Sequence, residues 1–435
     1  MEKRGITPNT KIKFYTTEII MNGVTLKQYN GRRHTLIGED LKEGVFYKVE
    51  VEHNPNKNYD IKGEYEILLH LNDKKCRSAP LVYDLGTISK EDLLSKMELE
   101  EEKEYIRNLN KEEFNFIAQQ YVPHEEGYTL ADVIFSIIEQ KSLSVYHGDI
   151  KPANIRYNPN VGICMFVDYD QSIMLSKEGE DSDILPFIDF CDDYDKEKYD
   201  HGDWLRHFSN FDKKDIPQYF NDEGAFNLAE TSIYKNQCTT NAQGGVYHTI
   251  SHKDIFANGV RTMEERSRLL DKVEFSKDEK VLDIGCNSGL LSFYLHSRGC
   301  RVTGVDNDKF IPIAAKMVAN IIGAEGIQFF QLDLDEKRNL LHYDTVMLFS
   351  VLHHTKDPKD NARKIAEKCN RIIIESRLTE NGKQPSGGVW HNTSRWEFES
   401  LEKLTSFYEE IFPGFRLKSN LGKADKNRYL LEFVK

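Results

Sequence analysis

Two stretches of the chain place chemically useful side chains at short, definite spacing. The first is Tyr146–Asn154, YHGDIKPAN, followed after a short apolar run by Asp168-Tyr169-Asp170. The carboxylate of Asp149, the ammonium of Lys151, the amide of Asn154 and a further acid at Asp168 suit phosphoryl transfer. In that chemistry one aspartate orients an attacking hydroxyl and a lysine counters developing phosphate charge. An amide and a second acid then hold Mg2+ against the phosphates of ATP. The second stretch is Lys280–Asp306, KVLDIGCNSGLLSFYLHSRGCRVTGVD. A turn bracketed by Gly285 and Gly289 lets backbone approach a ligand closely, and Asp306 arrives about 20 residues on, where it can accept ribose hydroxyls. The pattern is DxGxxxG, whereas a dinucleotide site prefers GxGxxG directly after its first strand. It reads as half of a nucleoside-cofactor site.

Each stretch needs a scaffold. Between residues 12 and 60 the chain reads as strands broken by turns, IKFYTTEIIM, VTLKQYNG and GVFYKVEVEHN. The alternation in Val45–Glu50 predicts an antiparallel sheet with one wet face. Ile61–Asn72 has helical spacing, LVYDLG and FNFIAQQYV read as strands, and Tyr128–Lys141 as a buried helix. The Lys/Glu-dense segment 89–113 reads as a solvated helical excursion or flap. Residues 177–215 are acidic and aromatic without a legible period, and 216–260 are polar and mixed. From Val260 strands alternate with helices: a helix to Lys272, a strand at Val281, the helix LLSFYLHS, the strand RVTGVD and a helix over 310–321. GIQFFQLDLD, YDTVMLFSVLHHT and RIIIESRL follow as strands, with helices at Lys359–Cys369 and Trp396–Tyr408 and a terminal hairpin. That alternation predicts an open parallel sheet covered on both faces.

Composition bounds the rest. A chain of 435 residues is too long for one ordinary core. The predicted domains are 12–225, a connector over 226–258, and 259–435. The formal charge of −13 argues against a general nucleic-acid partner. Seven scattered cysteines without CxxC point to a reducing compartment and no structural zinc. With no apolar run after MEKRGITPNT and none approaching membrane-spanning length, the expected location is the cytoplasm.

Over Tyr247–Lys435 the string VLDIGCNSG, the acid at the second strand end and QLDLD in register resemble class I S-adenosylmethionine-dependent methyltransferases. The resemblance implies that Asp283 and the Gly285–Gly289 loop, with Cys286 and Asn287, place the sulfonium and its carboxylate. Asp306 would hold the ribose, Asp333 or Leu332 would face the adenine amine, and Asn307, Leu334 and Phe349 would line the cofactor. Phe349–His354 is similar to the family's strand end beneath the transferred methyl, so His353 or His354 could act as a general base, His354 being the catalytic candidate. Asn241–His248, ahead of the first strand, could fold over the cofactor as a lid, with Tyr247, His248 and Arg261 as its contacts, or could be only a connector. Glu375, Arg377 and Trp390-His391-Asn392 are acceptor-pocket candidates.

Residues 12–225 resemble the protein-kinase-like superfamily in the HGDxKPxN form found among small-molecule and lipopolysaccharide kinases. The expected fold is therefore a bilobal α+β domain followed by a Rossmann-like one. By that resemblance Asp149 is the catalytic base, Asn154 and Asp168 are metal ligands, and His147 braces the loop. Lys48 would pair with phosphate, Glu64 would be its ion-pair partner, and Gln120-Tyr121-Val122 would form the hinge that receives the nucleotide. The third motif reads Asp168-Tyr169-Asp170, with an acid where a protein kinase has glycine. No GxGxxG precedes Lys48 and no APE follows Asp168. The combination resembles bifunctional kinase–methyltransferases that terminate O-antigen chains, in reversed order. It implies a glycan or small hydroxyl compound as acceptor, with methylation of the new phosphate as a narrower reading. Two alternatives remain: a kinase-like scaffold beside an active methyltransferase, and an RNA-modifying methyltransferase with an accessory domain.

Overall fold

The computed structural model describes residues 21, 24–29, 32–53, 60–123, 125, 127–148, 150, 152–174, 217–240, 245–336, 340–378, 398, 400–425 and 428–435. They divide into two compact units. One comprises the chain to Asp73 with Ala79–Val122 and Asp168–Ile173, and the other holds Lys74–Ser78, Pro123–Val167 and everything from Met174.

The first unit is built on a five-stranded sheet in the order β1-β2-β3-β5-β4. Its strands are β1 (Lys27–Tyr29), β2 (Arg32–Asp40), β3 (Val45–Glu50), β4 (Val82–Ser89) and β5 (Glu113–Gln120), all paired antiparallel. Period-2 alternation along β3 buries Tyr47 and Val49 and sends Lys48 to the opposite face. Helix α1 (Ile61–Asp73) follows, its first turn capped by the Asp60 carboxylate, which accepts from the amides of Lys62 and Gly63. Its buried stripe is Ile61, Glu64, Ile67, Leu68 and Leu71, so an acid sits within an otherwise apolar face. The acidic segment after β4 is not a solvated flap. Its helices α2 (Lys90–Ser95) and α3 (Glu100–Asn108) bury Leu93 and Ile106, and with Met97 these join the core formed by Leu36, Val49 and Phe114. The acids occupy the outer faces of amphipathic helices whose inner faces are too short to register as a period.

In the second unit helix α4 (Leu130–Ser142) starts in a capping box, with Thr129 and Asp132 satisfying each other's backbone amides. A hairpin of β6 (Ile155–Asn158) and β7 (Ile163–Phe166) packs against it. The stretch read as polar and mixed is in fact packed. Phe226, Leu228, Ile233, Tyr234 and Cys238 are each 0% exposed, and Phe226–Asn227, Ile250–Ser251 and Ile255–Ala257 form a small sheet.

After helix α5 (Glu264–Leu270) comes the larger sheet, composed of β8 (Lys280–Ile284), β9 (Arg301–Asp306), β10 (Gln328–Gln331), β11 (Thr345–Phe349), β12 (Arg371–Arg377), β13 (Arg416–Asp425) and β14 (Arg428–Val434). Its order is β10-β9-β8-β11-β12-β14-β13, and all its strands run the same way except β14, which pairs antiparallel with both β12 and β13. Alternate residues face opposite layers. Val281, Val302, Met347 and Ile373 pack with α5, α6 (Leu290–Ser297) and α7 (Ile311–Ile321), while Leu282, Val346, Leu348 and Ile372 pack with α8 (Pro358–Ala366) and α9 (Leu401–Ile411). The strand order reverses between β8 and β11, and ligands of such sheets bind outside the carboxyl ends at that switch point. Among the described residues no helix is long and apolar enough to cross a membrane.

Candidate functional site

The residues at the switch point gather around the turn after β8. Asp283, one residue before the end of β8, is buried, 1% exposed, and accepts a hydrogen bond from Ser292 Oγ of α6 at 2.6 Å. Burial raises its carboxyl to about 7; the Ser292 bond opposes this rise and the Asp306 charge adds to it. Asp306, at the end of the neighbouring β9, accepts from the Asn287 amide at 3.0 Å and the Asp308 amide at 3.2 Å. Its carboxyl is also raised, chiefly by burial, with those amides opposing. The glycines are required by the turn itself. Gly285 (φ +74°) would put a Cβ 2.5 Å from Val351 Cγ2, and Gly289 (φ +90°) would press on the Phe293 ring.

The segment before β8 closes on this turn. His248 Nδ1 meets Ser288 Oγ at 3.3 Å, the Tyr247 and His248 rings lie 4.9 Å apart, and the Arg261 amide donates to the Tyr247 carbonyl at 2.9 Å. Burial and the charges of Arg266 and Arg261 push the His248 imidazole down to about 3, so it is neutral at pH 7. The Leu332 amide donates to the Asp306 carbonyl, which brings residues 332–334 to the end of β9. The Asp333 carboxylate accepts from the Asp335 amide there, and Leu332 and Leu334 pack on the core. Asn307 is exposed with its carbonyl accepting from Gln331 Nε2, and Phe349 packs on the α5–α7 side of the sheet.

His353 and His354 occupy a single turn after β11, with ring centroids 4.0 Å apart. Burial, His354, Arg428 and Arg377 lower His353 to about 3, and burial with Arg428 lowers His354. Both are neutral at pH 7, as a general base must be, but weakened as bases. Glu375 is not placed to meet an acceptor. It is 2% exposed and saturated by Arg266 (Nε to Oε2, 2.8 Å), Arg428 (NH1 to Oε1, 2.6 Å) and Ser350 (Oγ to Oε1, 3.1 Å). Trp390, His391, Asn392 and Asn241–Gly244 lie outside the described residues.

In the first unit Lys48 Nζ donates to Glu64 Oε2 and Asp168 Oδ1, each at 2.6 Å, and Asp170 Oδ2 lies 3.5 Å away. Burial opposes the lysine charge, but Asp168, Glu64 and Asp170 outweigh it and hold the ammonium well above its ordinary range. Three carboxylates around one ammonium leave surplus negative charge. Asp170 carries the effect: burial drives it to about 7, against the pull of Lys48 and with the push of Asp168 and Glu64. Asp168 is left-handed (φ 71°), and the Tyr169 amide donates to Glu64 Oε1. Gln120 closes the end of β5, exchanging main-chain and side-chain bonds with Leu81, and Val122 follows half-buried.

In the second unit buried His147 bonds through Nε2 to the Val167 carbonyl at 3.0 Å, and the Val167 amide donates to the Asn154 carbonyl. Asn154 is 1% exposed, while Asp149 and Lys151 lie outside the described residues. Among the described residues no cluster of three or more His, Cys, Asp or Glu is arranged to hold a metal by itself.

Sequence reasoning missed Ser292, Tyr234, Cys238 and the Arg266–Glu375–Arg428 network. Ser292 lies one turn into the helix after the glycines, a position that could have been tested. The others meet across long loops and leave no local pattern.

Residues 258–408 match the family model of the methyltransferase domain, and with this sheet they define that region as a methyltransferase domain. Ubiquinone biosynthesis O-methyltransferase of Pseudomonas syringae pv. tomato is 26% identical over 142 residues, 32% of this chain and 52% of that protein. The tRNA U34 carboxymethyltransferase of Alteromonas mediterranea is 34% identical over 182 residues, 38% of this chain and 52% of that protein. The chain thus spans about half the length of the curated relatives it matches. Among solved structures, magnesium protoporphyrin IX methyltransferase from Synechocystis with bound SAH aligns over 40% of this chain and 82% of its own, with 21% identity and a TM-score of 0.32.

Proposed function

We propose that the chain is a bifunctional transferase: an S-adenosylmethionine-dependent methyltransferase joined to an ATP- and Mg2+-dependent phosphotransferase, both acting on a glycan or small hydroxyl compound. The methyl-transfer reading rests on the Asp283–glycine turn–Asp306 arrangement at the switch point. The residues fit the cofactor. A cationic sulfonium and ammonium would favour the ionised form of Asp283, and the Asp306 carboxylate faces the end of β9, where ribose hydroxyls would lie. The named relatives are an O-methyltransferase of ubiquinone biosynthesis and a tRNA U34 carboxymethyltransferase, so the domain match carries no single acceptor with it. The formal charge of −13 favours a small acceptor over RNA.

The phosphotransferase reading is carried by the Lys48–Glu64–Asp168 triple, which holds an ammonium in a fixed position beside surplus negative charge. A divalent cation would relieve that surplus and return Asp170 to its ionised form. Asp149 as base, Lys151 as charge partner and Asn154 as metal ligand are carried over from the resemblance of the HGDxKPxN loop. The alternative is a kinase-like scaffold without turnover.

The test is turnover of ATP with magnesium and of S-adenosylmethionine, with glycan-bearing extracts as acceptors, in the wild type, Asp149→Asn and Asp283→Ala. Loss of both transfers in Asp149→Asn would make the reactions sequential, with the new phosphate as methyl acceptor. Methyl transfer by a wild-type chain that turns over no ATP would leave the scaffold reading instead.

A further inference from the structure

A buried hydroxyl stands unused beside the glycine turn. Tyr234 belongs to the short helical turn Ser232–Asn236, is 0% exposed, and points its hydroxyl toward Ser288 without meeting a hydrogen-bond partner of acceptable geometry. Ser288 Oγ is engaged by His248 and the Ser288 amide by the Asn287 side chain. A buried hydroxyl left without a partner costs about 1–3 kcal/mol, so a position that keeps one calls for an explanation. Moreover, Tyr234 is held firmly. Asp132, in the first turn of α4, accepts from the Ser232 amide at 2.7 Å and from Ser232 Oγ at 2.8 Å, and the Phe135 ring meets the Tyr234 ring edge-on at 6.3 Å. Cys238, one turn further, is also fully buried and lies within electrostatic reach of Asp306 and Asp308.

We propose that Tyr234 is a cofactor-binding residue whose hydroxyl donates to the amino-acid end of the bound sulfonium nucleoside, and that Asp132 is the positioning residue that holds it there. The inference rests on the methyl-transfer reading. The turn Gly285–Gly289 is where that reading places the methionine carboxylate, and a neutral phenol at Ser288 supplies the donor such an anion needs. The arrangement gives α4 a direct part in building the cofactor site.

The experiment is calorimetric titration of the full chain with S-adenosylhomocysteine and with 5′-methylthioadenosine, which lacks the amino-acid end. Tyr234→Phe removes only the hydroxyl. It is expected to weaken S-adenosylhomocysteine about tenfold to a hundredfold, the range of a hydrogen bond to a charged group, and to leave methylthioadenosine unchanged. The Tm of the ligand-free chain should stay level or rise, because an unsatisfied group has been removed; a purely structural tyrosine would instead lower it. Asp132→Asn, which keeps shape and one acceptor, should weaken S-adenosylhomocysteine less than Asp132→Ala. Equal affinity of wild type and Tyr234→Phe for S-adenosylhomocysteine overturns the proposal, as does an equal loss for both ligands. A wild type that binds neither ligand refutes the methyl-transfer reading itself.

Discussion

Replacing Glu375 with alanine tests whether the carboxyl end of β12 serves stability or acceptor binding. The carboxylate is enclosed, 2% exposed, and holds Arg266 on one oxygen and Arg428 with Ser350 on the other. Both arginine side chains are themselves largely buried, at 12% and 10% exposure, so water cannot take over from the lost acid. Breaking a buried ion pair from one side costs about 3–5 kcal/mol, because the partner charge stays behind uncompensated. In a folded unit of this size each kcal/mol lowers Tm by about 2–4 °C, so the expected fall is about 10 °C. Arg266→Met should cost less, since Glu375 would keep Arg428 and Ser350. Differential scanning calorimetry of the ligand-free chain reads both variants. A Tm within about 2 °C of wild type, together with a raised KM for acceptor, would refute this reasoning and return Glu375 to the acceptor pocket.

Asp283 predicts a pH dependence with a definite sign. Its folded pKa of about 7 lies above the ordinary 3.8, so ionisation disfavours the folded state. The stability of the ligand-free chain should therefore fall as pH rises from about 4 to about 7, and Asp283→Asn should flatten that slope in urea titrations. Binding of a cationic cofactor favours the carboxylate and should release a proton near pH 6.5, read as a dependence of calorimetric heat on buffer ionisation enthalpy. Lys48→Met would leave Glu64, Asp168 and Asp170 without their shared cation. We expect a loss of about 3–5 kcal/mol in chemical denaturation, partly recovered at low pH where the carboxylates take up protons. Retention of ATP turnover in Lys48→Met would contradict the phosphotransferase assignment.

What the sequence disclosed was local. The acid and glycines of Asp283–Gly289, Asp306 one β-α-β step later, and Lys48 alternating out of a buried strand are all set by short-range geometry, and each lies in the element expected for it. Element ends were less legible. QLDLD continues past its strand because Leu332 pairs with the Asp306 carbonyl, and the helix expected from Trp396 begins at Leu401, after the cap at Ser400. Long-range packing was not legible at all. Leu93, Met97 and Ile106 are hidden in a stretch whose composition is dominated by charge, and periodicity identifies a buried face without saying what covers it. The same holds for Tyr234 and Glu375, whose meaning depends on residues far away in the chain.

The packing of α4 has a consequence for how such a protein can be divided. Glu139, 0% exposed, accepts from the amides of Arg77 and Ser78 and from Asn320 Nδ2 of α7 at 2.7 Å, while Asp132 caps the turn that carries Tyr234. Helix α4, which precedes the matched region in sequence, thus packs on α7 within the same compact unit. A fragment beginning at residue 258, where the domain match begins, would bare Asn320 and its apolar neighbours on α7 and lose the floor beneath the glycine turn.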